Sequence, residues 1–164
     1  MKTYKLLTPG PLTTTDSVKQ EMLFDHCTWD EDYKQITQRI RRELLQLAHV
    51  DETAYTTVLM QGSGTFGVES VISSVIPDDG CLLLLSNGAY GERIAAMCRY
   101  HHISCVHIAQ DYDKIPDRMK EEEALKQHPE ITHIAMIHSE TTSGILNDIQ
   151  SIGELAKKYK KIFI

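Results

Sequence analysis

Short apolar runs alternate with longer amphipathic segments from residue 53 onward. Most of the runs are apolar at consecutive positions, and they predict strands over residues 56–61, 81–86, 103–108, 131–138 and 162–164. The intervening segments place apolar residues three or four positions apart, which predicts helices over residues 65–76, 90–100, 116–127 and 149–159. Continuous apolar runs suit strands that are covered on both faces. The alternation therefore predicts an α/β fold, with a mostly parallel sheet and helices on both faces.

The first fifty residues follow a different pattern. Thr8-Pro9-Gly10-Pro11 is a rigid segment that cannot join a helix or the middle of a sheet. Helical spacing then predicts helices over residues 16–24 and 31–49. We therefore expect one domain, in which residues 1–52 form an amino-terminal arm with packing helices and residues 53–164 form the α/β part. The apolar run at the end looks like a strand that is interrupted as it begins.

Composition and charge narrow the possible partners. Lys and Arg total 17 against 23 Asp and Glu, and no basic stripe follows a predicted helix, so we expect no nucleic-acid partner. The longest aliphatic run, Leu82 to Leu85, has four residues, or five counting Cys81, against the roughly 20 that a membrane-spanning helix needs. The start lacks the apolar stretch of a signal peptide. We expect a cytoplasmic protein without membrane contact. The eight histidines lack ligand spacing, so we expect no metal site.

A glycine-rich loop, residues 61–67 (the first loop), joins the first predicted strand to a helix. Its backbone N–H groups face outward at the positive end of the helix dipole, and Ser63 and Thr65 add hydroxyl donors, an arrangement suited to phosphate. A tight turn capped by Ser63 or Thr65, with nothing bound, is the alternative.

The first loop also fits the G-x-G-x-x-G pattern of dinucleotide-binding proteins through Gly62, Gly64 and Gly67. That pattern needs an Asp or Glu at the end of the next strand, to hold ribose hydroxyls. The next strand ends in Ser86-Asn87 instead, so a nicotinamide or flavin dinucleotide is the less favoured ligand.

Two more loops follow predicted strands at the same edge of the sheet. The second loop, residues 86–91, places Tyr90 between two glycines, where its ring could lie against a flat ligand. The third loop, residues 138–144, has five consecutive polar residues before a glycine. Taken singly, Tyr90 could be an ordinary packed residue and the third loop a solvated one. Three such loops at the carboxyl edge of one sheet predict a ligand site.

These pieces together resemble the class V branch of the fold type I pyridoxal-phosphate-dependent aminotransferases. The resemblance is carried by Thr8-Pro9-Gly10-Pro11, by residues 62–65 with Glu69, by residues 87–93 and by residues 138–144, and it covers essentially the whole chain. Within that branch, the segments LLTPGPL, DHCTWDEDY, QGSGTFGVES and HSETTSGILN resemble the transaminases of 2-aminoethylphosphonate and pyruvate.

The resemblance implies a cofactor, pyridoxal 5'-phosphate, and a role for particular residues. Ser63, Gly64 and Thr65 would hold its phosphate, Tyr90 would stack on its pyridine ring and Thr141 would hydrogen-bond its phenolic oxygen. The segment Pro9, Gly10 and Pro11 would line the substrate pocket. The family forms homodimers with active sites at the subunit interface, and its small-molecule substrates here would be 2-aminoethylphosphonate and pyruvate.

The resemblance also implies two residues that the 164 positions do not contain. The Asp that pairs with the pyridine nitrogen is expected just past Ile164, and the Schiff-base Lys further on. We therefore expect no catalytic residue in this chain and no activity of the chain alone. Two alternatives stay open: a noncatalytic remnant of a class V aminotransferase, and a transaminase of the alanine:glyoxylate or serine:pyruvate type.

Overall fold

The computed structural model describes residues 4–8 and 10–164. Contacts group the chain into two compact units, residues 1–61 and residues 62–164. The first unit contains helices α1 (Asp16–Glu21) and α2 (Glu31–Leu47). The second unit contains, in chain order, α3 (Gly64–Val75), β1 (Cys81–Ser86), α4 (Ala89–Tyr100), β2 (Ser104–Ala109), α5 (Arg118–Gln127), β3 (His133–Met136), β4 (Ser139–Glu140), β5 (Ile145–Leu146), α6 (Ile149–Lys158) and β6 (Ile162–Phe163).

A four-stranded parallel sheet in the order β2-β1-β3-β6 forms the centre of the second unit. Leu83 of β1 lies opposite Val106 on one side and Ile134 on the other, so β1 is hydrogen-bonded along both edges. Each connection between neighbouring parallel strands passes through a helix, the usual form of the crossover that parallel pairing needs. The α/β prediction is confirmed.

Side chains of β1 alternate between two layers of helices. Leu83 and Leu85 pack with residues of α5 and α6, including Leu125 and Leu155. Leu82 and Leu84 point to the other face, where they pack with buried residues of α3 and α4. All four leucines are at most 3% exposed, and burial of each contributes about 1.5–3 kcal/mol. This explains why the sequence is apolar over residues 81–85 of β1: both faces are covered.

Helix α2 in the first unit is amphipathic, as its sequence predicts. One side carries Ile36, Ile40 and Leu44, which stay between 39% and 50% exposed. The helix ends at Leu47, two residues before the predicted end, because His49 has the left-handed φ of 54° that α-helices exclude. In the described part of the chain, no helix has both the length and the apolar character needed to cross a bilayer.

The strand predicted over residues 56–61 is wrong: this segment is in no sheet. Its polar groups bond to Arg41 of α2, whose Nε donates to the Thr57 carbonyl at 3.0 Å and whose Nη2 donates to Thr56 Oγ1 at 2.7 Å. The Thr57 hydroxyl in turn donates to the Arg41 carbonyl at 3.0 Å. A β-favouring run becomes a strand only when a neighbour pairs with its backbone, and here a side chain takes that place.

Candidate cofactor site

The first loop continues into α3, and several hydrogen-bond donors lie at the amino terminus of this helix. Ser63 is the N-cap, and its Oγ accepts a hydrogen bond from the Phe66 N–H at 3.2 Å. The N–H groups of Gly64 and Thr65 have no acceptor within the described part of the chain. The first turn of α3 contains no acidic residue. Capping by Ser63, one of the two alternatives for this loop, is thus present, and it leaves two N–H groups for an anion.

Arg93 of α4 connects the first loop to Tyr90. Its Nη1 donates to Thr65 Oγ1 at 2.8 Å, and its guanidinium carbon lies 5.4 Å from the centroid of the Tyr90 ring. Tyr90 and Arg93 are three positions apart on one helix and therefore share a face. The Thr65 hydroxyl and the Tyr90 ring consequently lie on the same side of the molecule, with a positive charge between them.

The third loop forms a small hairpin, with β4 and β5 antiparallel and Glu140 opposite Ile145. The Glu140 side chain is fully buried at the start of α4, where its Oε2 accepts a hydrogen bond from the Tyr90 N–H at 3.2 Å. The Ala89 N–H donates to Thr142 Oγ1 at 3.2 Å. The second and third loops are therefore joined by two hydrogen bonds at the amino end of α4.

Beneath the surface, a buried pair of amides joins the second loop to Asn147, the residue that follows β5. Asn87 Nδ2 donates to Asn147 Oδ1 at 2.8 Å, and Asn147 Nδ2 donates to Asn87 Oδ1 at 3.1 Å. Asn147 also donates to the Ile137 carbonyl at 2.7 Å, which fixes it against the end of β3. Because buried amides are costly without partners, this reciprocal pair favours one arrangement of the second loop and the segment after β5.

The structure brings together those predicted site residues that lie in the second unit. Ser63, Gly64 and Thr65 begin α3, Tyr90 lies half-buried in the first turn of α4, and Thr141 is exposed in the turn between β4 and β5. Gly10 and Pro11 are exposed residues of the first unit, and their role at a substrate pocket stays a prediction. Pro9 lies outside the described residues.

Sequence reasoning did not assign a site role to Arg93, Glu140 or the pair Asn87 and Asn147. A signal existed for Arg93, because a residue three positions after Tyr90 on a helix shares its face. No comparable signal marks Glu140 among the polar residues of the third loop, because its burial depends on a contact with a helix some fifty residues earlier.

Known proteins are similar in sequence to the whole of this chain. The chain is 54% identical over 164 residues to the 2-aminoethylphosphonate–pyruvate transaminase of Lysinibacillus sphaericus. The match covers all of this chain and 45% of that protein. It is 53% identical over 160 residues to the enzyme of the same name from Bacillus thuringiensis, covering 97% of this chain and 44% of the relative. No family model matches the chain.

Solved structures show the same fold. A pyridoxamine-pyruvate aminotransferase from Mesorhizobium loti matches 98% of this chain and 41% of its own with a TM-score of 0.85 at 24% identity. An alanine–glyoxylate aminotransferase from Nostoc sp. matches 99% of this chain and 45% of its own with a TM-score of 0.83 at 20% identity. The chain spans about 45% of the length of its curated relatives. By sequence the chain is similar over its whole length to the 2-aminoethylphosphonate–pyruvate transaminases, and by fold it is similar to the solved aminotransferases.

Proposed function

We propose that this chain supplies one part of the pyridoxal 5'-phosphate site of a 2-aminoethylphosphonate:pyruvate aminotransferase. The whole protein would convert 2-aminoethylphosphonate and pyruvate into phosphonoacetaldehyde and alanine. The observation that carries the proposal is the Arg93 bridge, which sets the donors at the start of α3 beside the Tyr90 ring. The names of the relatives, at 53% and 54% identity, support the choice of reaction.

The donors at the start of α3 fit a phosphate group. They comprise two backbone N–H groups without an acceptor in the described part of the chain, the hydroxyls of Ser63 and Thr65, and the Arg93 guanidinium. The helix dipole adds further positive potential at this end. Glu69, in the next turn of α3, contacts His101 Nε2 at 2.7 Å. An anion at this position would meet donors and a cation, which is the environment that phosphate requires.

Each loop would have a separate task toward the cofactor. Ser63, Gly64 and Thr65 would bind the phosphate, Tyr90 would lie against the ring, and the Thr141 hydroxyl would donate to the phenolic oxygen. When bound, pyridoxal phosphate supplies the electron sink that amino-group transfer needs. The chain's own residues would orient the cofactor and hold it away from bulk water.

The proposal extends to location and assembly. We propose a cytoplasmic homodimer with active sites at the subunit interface, as the resemblance implies. Residues 1–52 would serve as its arm with packing helices, and Pro9, Gly10 and Pro11 would line the pocket for the small-molecule substrates. Sedimentation velocity of the hybrid described below would test the dimer.

A hybrid protein tests the proposed reaction. The 164 residues would replace the matching segment of the Lysinibacillus sphaericus relative, which supplies the remaining part of the fold. With pyridoxal phosphate, 2-aminoethylphosphonate and pyruvate, we expect the hybrid to form alanine, and the unaltered relative is the positive control. A folded hybrid that forms no alanine from 2-aminoethylphosphonate, or that prefers alanine and glyoxylate, would contradict the proposal.

A further inference from the structure

Glu140 is a carboxylate enclosed between the second and third loops. Its side chain is 0% exposed, and its two oxygens face different partners. Oε2 accepts from the Tyr90 N–H at 3.2 Å, while Oε1 accepts from the Thr142 N–H at 3.3 Å and from the Thr142 hydroxyl. One buried group therefore contacts both the loop that carries Tyr90 and the turn that carries Thr141.

Hydrogen-bond donors surround the Glu140 carboxyl group. Its contact with the Tyr90 N–H lies in the first turn of α4, where the helix dipole favours negative charge. No ion pair between Glu140 and a Lys or Arg is present in the described part of the chain. The buried carboxyl group consequently depends on N–H and O–H donors from the two loops, and moving either loop away would leave its oxygens without those partners.

The second loop is shaped to admit Glu140. A Cβ atom at Gly88 would lie 2.2 Å from Glu140 Cγ and 2.3 Å from its Cδ, closer than any such contact allows. Glycine at position 88 therefore permits the carboxylate to reach the backbone of α4. The close approach and the hydrogen bonds are separate observations, and both fix the same relation between the loops.

We infer that Glu140 is a positioning residue for the ring end of the cofactor site. It fixes the Tyr90 ring and the Thr141 hydroxyl relative to each other, without touching the ligand itself. The identity of the ligand rests on the proposed function, because Tyr90 and Thr141 are the residues assigned to the pyridine ring. The phosphate end, at Ser63 and Thr65, has its own contact through Arg93 and does not depend on Glu140.

The test compares the two ends of the site in the purified protein. Glu140→Gln keeps the volume of the side chain. It replaces one carboxylate oxygen, which accepts a hydrogen bond, with an NH₂ group that faces the same donor. We expect the affinity for pyridoxal 5'-phosphate to fall about tenfold, with the affinity for inorganic phosphate unchanged within about twofold. Glu123→Gln, an exposed glutamate of α5, is the matched control and leaves both affinities unchanged.

Amide hydrogen exchange provides a readout that does not depend on the ligand. In Glu140→Gln we expect the Tyr90 and Thr142 N–H groups to exchange faster together, while amides of β1 keep their protection. Unchanged exchange at either amide would overturn the inference. An equal loss of affinity for phosphate and for the cofactor would also overturn the inference, because it indicates general unfolding. If the wild-type protein bound no pyridoxal phosphate but both amides responded, the proposed function would fail and the coupling of the loops would stand.

Discussion

Arg93 contacts the residues at both ends of the proposed site. Its guanidinium donates to the Thr65 hydroxyl and lies over the Tyr90 ring, and no other described side chain links these two residues directly. A planar, permanently charged group can serve both contacts at once, whereas the compact ammonium of lysine serves them less well. The charge at this position should therefore govern the binding of a phosphorylated ligand.

Arg93→Met should weaken the binding of pyridoxal 5'-phosphate about tenfold, because it removes a charged donor beside the phosphate donors of α3. Arg93→Lys should weaken it less, because the charge remains while the planar fork is lost. Arg99→Met, an exposed arginine in the last turn of the same helix, should have no effect. Isothermal titration of the three variants measures this, and equal affinities of Arg93→Met and wild type would contradict the assigned role.

Glu121 should make stability depend on pH. It is fully buried in α5, and neither carboxyl oxygen has a partner in the described part of the chain. Burial, with a smaller contribution from Asp117, raises its pKa from 4.5 to about 7. The folded protein therefore retains a proton that the unfolded chain releases. The stability from Glu121 is complete below pH 4.5 and is lost as the pH rises through about 7.

Urea unfolding at several pH values measures the effect of Glu121. Glu121→Gln should flatten the fall in the free energy of unfolding between about pH 4.5 and about pH 7, because the amide does not titrate. Glu123→Gln, an exposed residue of the same helix, should keep the wild-type slope. The same slope in Glu121→Gln as in wild type would show that this carboxyl is not the cause.

At the scale of elements, the sequence predicts those helices, strands and loops that depend on local pattern alone. Strand β1 lies where its unbroken apolar run predicts it, because both faces are buried. The run over residues 56–61 also predicts a strand, yet its Thr57 carbonyl accepts a hydrogen bond from Arg41 and the segment is in no sheet. The three loops of the candidate site could be predicted from their glycines and polar residues. The hydrogen bonds between the loops could not, since they join residues about 28 to 60 positions apart.

Packing of α4 against β1 should depend on Gly91. A Cβ at this position would lie 2.4 Å from Ser86 Cβ and 2.9 Å from Ser86 Cα, so a side chain would push the helix away from the strand. Gly91→Ala should destabilise the fold by about 1–3 kcal/mol through overpacking. Gly67→Ala is the matched control: it lies in α3 with no atom near its added Cβ, and should stabilise by about 0.5–1 kcal/mol. Chemical denaturation of both variants checks the sign, and a neutral Gly91→Ala would contradict the close packing.

At the scale of the whole molecule, much apolar surface remains open to solvent. Helix α2 exposes an apolar side formed by Ile36, Ile40, Leu44 and Leu47. The outer edges of β2 and β6 have no strand neighbour in the described part of the chain. Exposed apolar patches and unpaired edges favour association.

The 164-residue chain on its own should therefore self-associate. Light scattering and sedimentation velocity over a range of concentrations measure the association, and a broad thermal transition would accompany it. Replacing both Ile40 and Leu44 with Gln should reduce the association, because it removes the centre of the apolar side of α2. A monomer with a sharp cooperative melt would be evidence against this expectation.

The cofactor assignment is tested most directly by comparing the affinities of the protein for pyridoxal 5'-phosphate and for pyridoxal. The two ligands differ only in the phosphate that Ser63, Gly64 and Thr65 would hold. We predict at least about tenfold tighter binding of the phosphorylated form, and a clear loss of that preference in Thr65→Val but not in Ser73→Ala, further along the same helix. Equal affinities for the two ligands, or a preference that survives Thr65→Val unchanged, would contradict the account.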